Sequence, residues 1–309
     1  MFMGDMPELM EIILNDLNNE LYSLYSCALV DRHWFNLLFK LFVESGATLH
    51  KLGLYFSDYE INPEIFYSLG RNEQFFSRLQ DLSLGGISEF NIESVNALLE
   101  ILAKNTTKIN ALKLEHYSNY EPRTLHALEY IIKSQEQLRQ FSLSGIFEYL
   151  TKFHGIISAL DCQNKSLYEV IIESCTCDTE FKVLMNCKNL GILRIHDCNV
   201  EFSTQFLVLI GNLQKLQFLT LWDIYEILGD EPKIQIMQFA KLLPLTLQYL
   251  DLRNSCLSSY IDILFNNCNA SLKYLLIDRH DDEKGSKALI EFCIRKKNFE
   301  LCGCTFEFG

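Results

Sequence analysis

Proline and glycine are scarce: five prolines and fourteen glycines in 309 residues, with no stretch rich in either and no Gly/Ser run. A flexible linker needs such a stretch, so the chain reads as one continuous body. Basic residues are also short, 27 Lys and Arg against 40 Asp and Glu, for a net charge of −13. Nucleic acid and anionic membranes are held by Lys and Arg on phosphate, so neither is an expected partner. The single basic cluster, Arg295-Lys296-Lys297, reads as a solvated helix end. No segment approaches the roughly 18 uninterrupted apolar residues that span a bilayer. The opening MFMGDMPELM lacks the charged-then-apolar order of a secretion signal. The eleven cysteines are therefore expected as thiols in a reducing compartment, cytoplasmic or nuclear.

The sequence also lacks the motifs that usually carry chemistry. Neither G-x-x-x-x-G-K-[ST] nor G-x-G-x-x-G occurs, which removes the usual phosphate-cradling loops. G-x-S-x-G and H-E-x-x-H are missing as well. Seven histidines are scattered singly: His33, His50, His116, His126, His154, His196 and His280. The close cysteine pairs, Cys175/Cys177 and Cys302/Cys304, are C-x-C, and no C-x-x-C or H-x-x-x-H partner follows either. Buried thiols of a core are the better reading, since free cysteine packs as a small apolar residue. No catalytic residue, metal site or cofactor is assigned, and the chain is not expected to be an enzyme.

What is abundant is apolar residue, 49% of the chain, and it is periodic. The pattern L-x-x-L-x-L, other apolar residues allowed, recurs nine times. It starts at Leu49, Leu79, Ile109, Leu138, Leu167, Leu190, Leu216, Leu247 and Leu272, at intervals of 23 to 31 residues. A degenerate tenth unit, read as a cap, falls in NFELCGCTF around Phe299. Alternation with period two predicts a strand with one buried face. Segments between strands carry helical spacing, as in Ile92, Val95, Leu98, Leu99 and Leu102, or Phe206, Leu209 and Ile210. A strand, a turn, a helix and a return in so few residues resemble the leucine-rich repeat. One such unit cannot bury its leucines alone, so neighbours stack on a shared core. The resemblance implies an α/β solenoid, with a curved parallel sheet on the concave face and helices outside. The Asn or Cys usual three residues after the motif occurs only as Cys175 and Cys198. Ser57, Ile87, Tyr117, Ile146, Ile224, Ser255 and His280 stand elsewhere at that position. The match is thus to the long, irregular, helix-bearing repeats of ribonuclease inhibitor and F-box proteins.

Residues 6–37 follow a different grammar. Pro7 suits the first turn of a helix and Glu8 its positive end. Apolar stripes run through Leu9, Ile12, Ile13 and Leu17, then Leu21, Leu24, Ala28 and Leu29, with Trp34, Leu37 and Leu38 opening a third. Three short amphipathic helices make a poor independent core and need a partner or the solenoid end. Met6-Pro7-Glu8-Leu9, the first stripe, and Leu29-Val30-Asp31-Arg32-His33-Trp34 resemble the F-box. That resemblance divides the chain into an F-box-like segment, 1–45, and a solenoid, 46–309. It implies a substrate-recognition adaptor of an SCF-type cullin–RING ubiquitin ligase. Pro7, Glu8, Leu9, Ile12, Ile13, Leu17, Leu21, Leu24, Leu29, Val30, Arg32 and Trp34 would dock a Skp-type adaptor and, through it, a cullin. The repeats would select a protein substrate for ubiquitin-dependent degradation. Two readings stand beside it: a binding or inhibitor scaffold whose first helices only cap the array, and a GTPase-activating regulator.

In each L1-x-x-L4-x-L6-x, the third, fifth and seventh residues project from the concave sheet. Nine strands at about 4.8 Å make a surface roughly 38 Å long, suited to a protein or peptide. Repeats one to four display one aromatic residue, Tyr55; repeats six to nine display Phe218, Trp222, Tyr249 and Tyr274 with Arg194 and Arg253. Trp, Tyr and Arg are enriched at binding hot spots. The candidate substrate site is therefore Arg194, His196, Phe218, Trp222, Tyr249, Arg253 and Tyr274.

Overall fold

The computed structural model describes residues 48–295 and 304–305, apart from 57–62, 72–73, 88–90, 118–120, 146–150, 153, 177–179, 199–202, 224–230 and 279–282. The F-box-like residues Pro7 to Trp34, the division near residue 45, and most of the cap around Phe299 lie outside the described residues.

Within them the chain alternates strand and helix. Strands β1 (Lys51–Tyr55), β2 (Asp81–Gly85), β3 (Ala111–Tyr117) and β4 (Gln140–Gly145) come first. Two short strands, β5 (Thr151–Lys152) and β7 (Cys175–Thr176), pair with each other on either side of β6 (Glu169–Glu173). Then come β8 (Ile192–His196), β9 (Phe218–Trp222), β10 (Tyr249–Asp251), β11 (Tyr274–Asp278) and β12 (Cys304–Thr305). All but β5 and β7 form one parallel sheet in chain order, so each repeat bonds only to its neighbours. This is an α/β solenoid, a parallel sheet lined by helices, consistent with the build of leucine-rich repeats.

The register follows the leucines. Each of the first nine strands of this sheet starts two residues after the motif's first apolar residue. Leu52, Leu82, Leu112, Phe141, Val170, Leu193, Leu219, Leu250 and Leu275 stand side by side and are buried. The second inward row, from Leu54 to Ile277, is buried too. Burying one Leu-sized side chain contributes about 1.5–3 kcal/mol. A repeat places three such residues in the core, so the stack is held together mainly by this term.

Helical segments cover the buried side: α1 (Glu64–Gly70), α2 (Ile92–Asn105), α3 (Pro122–Ser134), α4 (His154–Ala159), α5 (Thr204–Asn212), α6 (Pro232–Leu242), α7 (Ile261–Asn267) and α8 (Glu283–Arg295). The stripes Val95, Leu98, Leu99, Leu102 and Phe206, Leu209, Ile210 face the core as their spacing requires. The 23-residue fifth repeat has no room for an α-helix between two connections, and carries the 3-10 segment Glu180–Asn186 instead. Arg295 closes the last helix by donating to Phe265 O at 2.6 Å with its guanidinium 5.9 Å from the Phe292 ring, so it is anchored rather than simply solvated.

Two devices repeat beside the leucines. Gly86, His116, Ser174, Asp197, Asp223 and Asn254 have φ between 46° and 65°, and all occupy the eighth position of their repeats. The chain must leave the sheet there, and Gly, Asn and Asp enter the left-handed region at least cost. Four of these N–H groups bond to the seventh residue of the next strand: Gly86 to Glu115 O at 3.1 Å, Ser174 to His196 O at 3.0 Å, Asp197 to Trp222 O at 3.1 Å, and Asn254 to the Asp278 carboxylate at 2.9 Å. At the ninth position the buried Cys175 and Cys198 thiols reach backbone carbonyls of the turn, Glu173 O at 2.9 Å and His196 O at 3.0 Å. The second device is a buried amide between helices and strands. Gln163 accepts from Leu138 N at 3.1 Å and donates to Ile132 O and Gln135 O, both at 2.9 Å. Gln135 does the same one repeat earlier, accepting from Ile109 N at 2.8 Å.

Candidate functional site: the open face of the later strands

The third, fifth and seventh residues of each strand form three rows on the open face of the sheet. In the later repeats the first row runs Ile192, Phe218, Tyr249, Tyr274, in register across four strands. The middle row runs Arg194, Thr220, Asp251, Leu276. The third pairs Glu173 with His196 and His196 with Trp222; Arg253, two residues beyond Asp251, reaches the same row.

The outer rows are built of large side chains that touch one another. Phe218 and Tyr249 rings lie 5.7 Å apart at 36°. His196 meets Trp222 edge to face at 5.2 Å, and the Arg253 guanidinium sits 5.1 Å from the Trp222 ring centroid. Between the rows the middle of the sheet is sheltered: Thr220 is 4% exposed and Asp251 2%. The outer rows stay partly open to solvent, and Tyr274 is 42% exposed. Self-packing and exposure therefore coexist in this patch. The indole N–H of Trp222 is buried without a hydrogen-bond partner among the described residues.

Charge is fixed at two points. Asp251 accepts from Arg253 Nε on Oδ1 at 3.0 Å and from Nη2 on Oδ2 at 2.8 Å, and the Tyr249 hydroxyl donates to the same Oδ2 at 3.4 Å. The hydrogen bond to Asp251 raises the Arg253 pKa further, while burial first and then the Asp251 charge push the Tyr249 hydroxyl up. Glu173 pairs with His196 Nδ1 at 3.3 Å. The His196 hydrogen bond holds the Glu173 carboxyl below its ordinary range against partial burial. Arg194 is exposed, and its guanidinium makes no hydrogen bond or ion pair among the described residues.

The structure thus brings His196, Trp222 and Arg253 into one contact group and Phe218 and Tyr249 into another, with Tyr274 in register beside Tyr249. Arg194 lies in the row between them, touching neither group through a hydrogen bond. Sequence reasoning missed Glu173 and Asp251 as site residues. Asp251 is two residues from Arg253 and on the same face, and Glu173 holds the seventh position one strand before His196, so both signals were in the spacing.

Chemically the patch offers aromatic faces, one uncommitted guanidinium and a sheltered carboxylate. Among the described residues no group of three His, Cys, Asp or Glu side chains is placed to hold a metal ion, and no helix is long and apolar enough to cross a membrane. Cys175, Cys187, Cys198 and Cys268 are buried, as expected of core cysteines, whereas Cys162 is exposed.

No family model matches the chain, and no curated protein does. Among solved structures, a chain in the crystal structure of the Rad7 and Elc1 complex in yeast aligns over 94% of this chain and 85% of its own, at 14% identity and a TM-score of 0.39. The fold assignment rests on the strand ladder, not on this likeness.

Proposed function

We propose that this chain is a substrate-recognition adaptor of an SCF-type cullin–RING ubiquitin ligase, acting by binding and performing no chemistry itself. The recognition half rests on one observation: large side chains on the two outer rows of the open sheet are held in place by neighbours yet keep exposed faces. A preorganised aromatic surface loses little side-chain entropy when a partner covers it. Phe218, Trp222, Tyr249 and Tyr274 supply the contact area, and Arg194 supplies a charge that a partner carboxylate or carbonyl can take. His196 and Arg253 hold Trp222 from two sides.

The ligase half rests on the F-box-like residues of 6–34, with Leu9 and Trp34 at its two ends. A Skp-type adaptor would dock there, leaving the open face of the later repeats for substrate. The test is a pull-down with a purified Skp-type adaptor, wild type against Leu9→Ala/Trp34→Ala. Adaptor recovered by wild type and lost with the variant is the expected result. No recovery by wild type overturns the ligase assignment and leaves the binding scaffold.

A further inference from the structure

A second surface, on the rim where the chain enters the strands, has a chemistry of its own. It is a half-open groove with a volume of about 940 Å³ crossing repeats three to six. Asn110, Arg139 and Tyr168, at the second position of the motif, line it, and the backbone ladder that links them rung to rung runs on through Gly191 and Gln217. From Arg139 to Gln217 is three strand spacings, roughly 14 Å.

Three cations line it, Arg139, Lys165 and Lys215, against one acid, Glu136. Arg139 and Lys165 make no side-chain hydrogen bond or ion pair among the described residues. Lys215 donates only to the neutral Asn189 Oδ1, at 2.7 Å, and the Asn189 amide in turn donates to Lys165 O at 2.6 Å. At the border Gln140 turns to Glu169 at 3.0 Å. In a chain of net charge −13, a strip with three cations to one lining acid is a local reversal of sign. The aromatic residue is also placed: Tyr168 lies on Gly191, where a Cβ would come within 2.4 Å of its ring, so only glycine lets it rest there. Tyr168 as a whole remains 40% exposed.

We propose that this groove binds an extended acidic segment of a protein partner. The inference rests on reading the solenoid as a protein-recognition surface, and the groove is continuous with the open face: Gln140 lines it and also stands at the third position of its strand. Four to five extended residues span the cations. Glutamate or aspartate side chains meet Arg139, Lys165 and Lys215, and Tyr168 supports the chain between them.

The test uses the full chain and fluorescein-labelled hexaglutamate, read by anisotropy in 0.15 M salt, where the Debye length of about 8 Å screens the rest of the protein's negative charge. Saturable binding should weaken about ten-fold in Arg139→Gln/Lys165→Gln/Lys215→Gln, whose thermal melt should match wild type since all three side chains are exposed. Gly191→Ala, which displaces Tyr168, should weaken it to a smaller extent. Trp222→Ala/Tyr249→Ala should leave it unchanged, and loss there instead would place the peptide on the open face and overturn the assignment. Absence of saturable binding, or equal binding by the triple variant, also overturns it. Tripolyphosphate as competitor separates the sources of negative charge: displacement at a hundredth of the peptide's concentration would make this a phosphate site rather than a peptide groove. The adaptor pull-down does not involve these residues, so each proposal fails on its own.

Discussion

Arg253 and Asp251 form an unequal pair, and that inequality predicts an order of damage. The Asp251 side chain is 3% exposed and that of Arg253 24%. Removing the arginine strands a buried carboxylate, whereas neutralising the aspartate strands a cation that can turn to water. Breaking a buried pair by deleting one partner costs about 3–5 kcal/mol. Arg253→Ala belongs at the low end, about 3 kcal/mol, because the backbone N–H of residue 253 and the Tyr249 hydroxyl still reach Asp251. Asp251→Asn keeps the shape and one acceptor, and should cost about 1–2 kcal/mol, the worth of a charge-assisted hydrogen bond. The double variant Asp251→Leu/Arg253→Met, which replaces both charges by apolar groups, should return close to wild type. At about 2–4 °C per kcal/mol for a body of this size, Arg253→Ala lowers Tm by roughly 6–12 °C. Urea unfolding followed by far-UV circular dichroism, with tryptophan emission as a second probe, measures all three. Asp251→Asn costing as much as Arg253→Ala, or either costing less than about 0.5 kcal/mol, would refute the reasoning.

Four further outcomes follow from the geometry. Asn254, at φ 52°, tolerates Gly with no loss, whereas Asn254→Val costs about 1–2 kcal/mol in chemical unfolding because a β-branched residue clashes in the left-handed region. Gln163→Leu leaves Leu138 N, Ile132 O and Gln135 O without their buried partner and costs about 2–4 kcal/mol, measured the same way. Burial pushes the Cys187 thiol up to about 12, so it stays protonated in the fold while the unfolded thiol ionises near 9; stability falls as pH rises above 9, and Cys187→Ala flattens that fall by up to about 1.4 kcal/mol per pH unit. Glu173 is held low by His196, so its contribution is present above the unfolded carboxyl range and lost as pH falls through its lowered value; Glu173→Gln should remove that part of the acid limb of a Tm-against-pH curve.

The sheet was legible because its signal is redundant. Leu52, Leu82 and Leu112 announce the same rung at intervals of 30, and an error in one repeat is corrected by the next. The same register places Phe218, Trp222 and Tyr249 on one face. Less was read from the eighth position, where Gly86, Ser174, Asp197, Asp223 and Asn254 already spell a left-handed turn in small and polar residues. The short fifth repeat looked like the others, since helical spacing in so brief a segment does not separate a 3-10 turn from an α-helix. Contacts between side chains were beyond periodicity. That Arg253 folds back on Asp251 and over Trp222 while Arg194 keeps its charge unspent depends on rotamers, and the sequence presents the two arginines as equals.

On the function proposed above, one chain carries two separate binding ends. Tagged full-length protein, Leu9→Ala/Trp34→Ala and Trp222→Ala/Tyr249→Ala are compared by quantitative mass spectrometry of co-purified proteins, with matching circular dichroism spectra for all three. A Skp-type adaptor and a cullin should disappear only with the first variant, and a different protein, retained by the first variant, should disappear only with the second. Recovery of the same set by wild type and the Trp222/Tyr249 variant, or no adaptor with wild type, would contradict it.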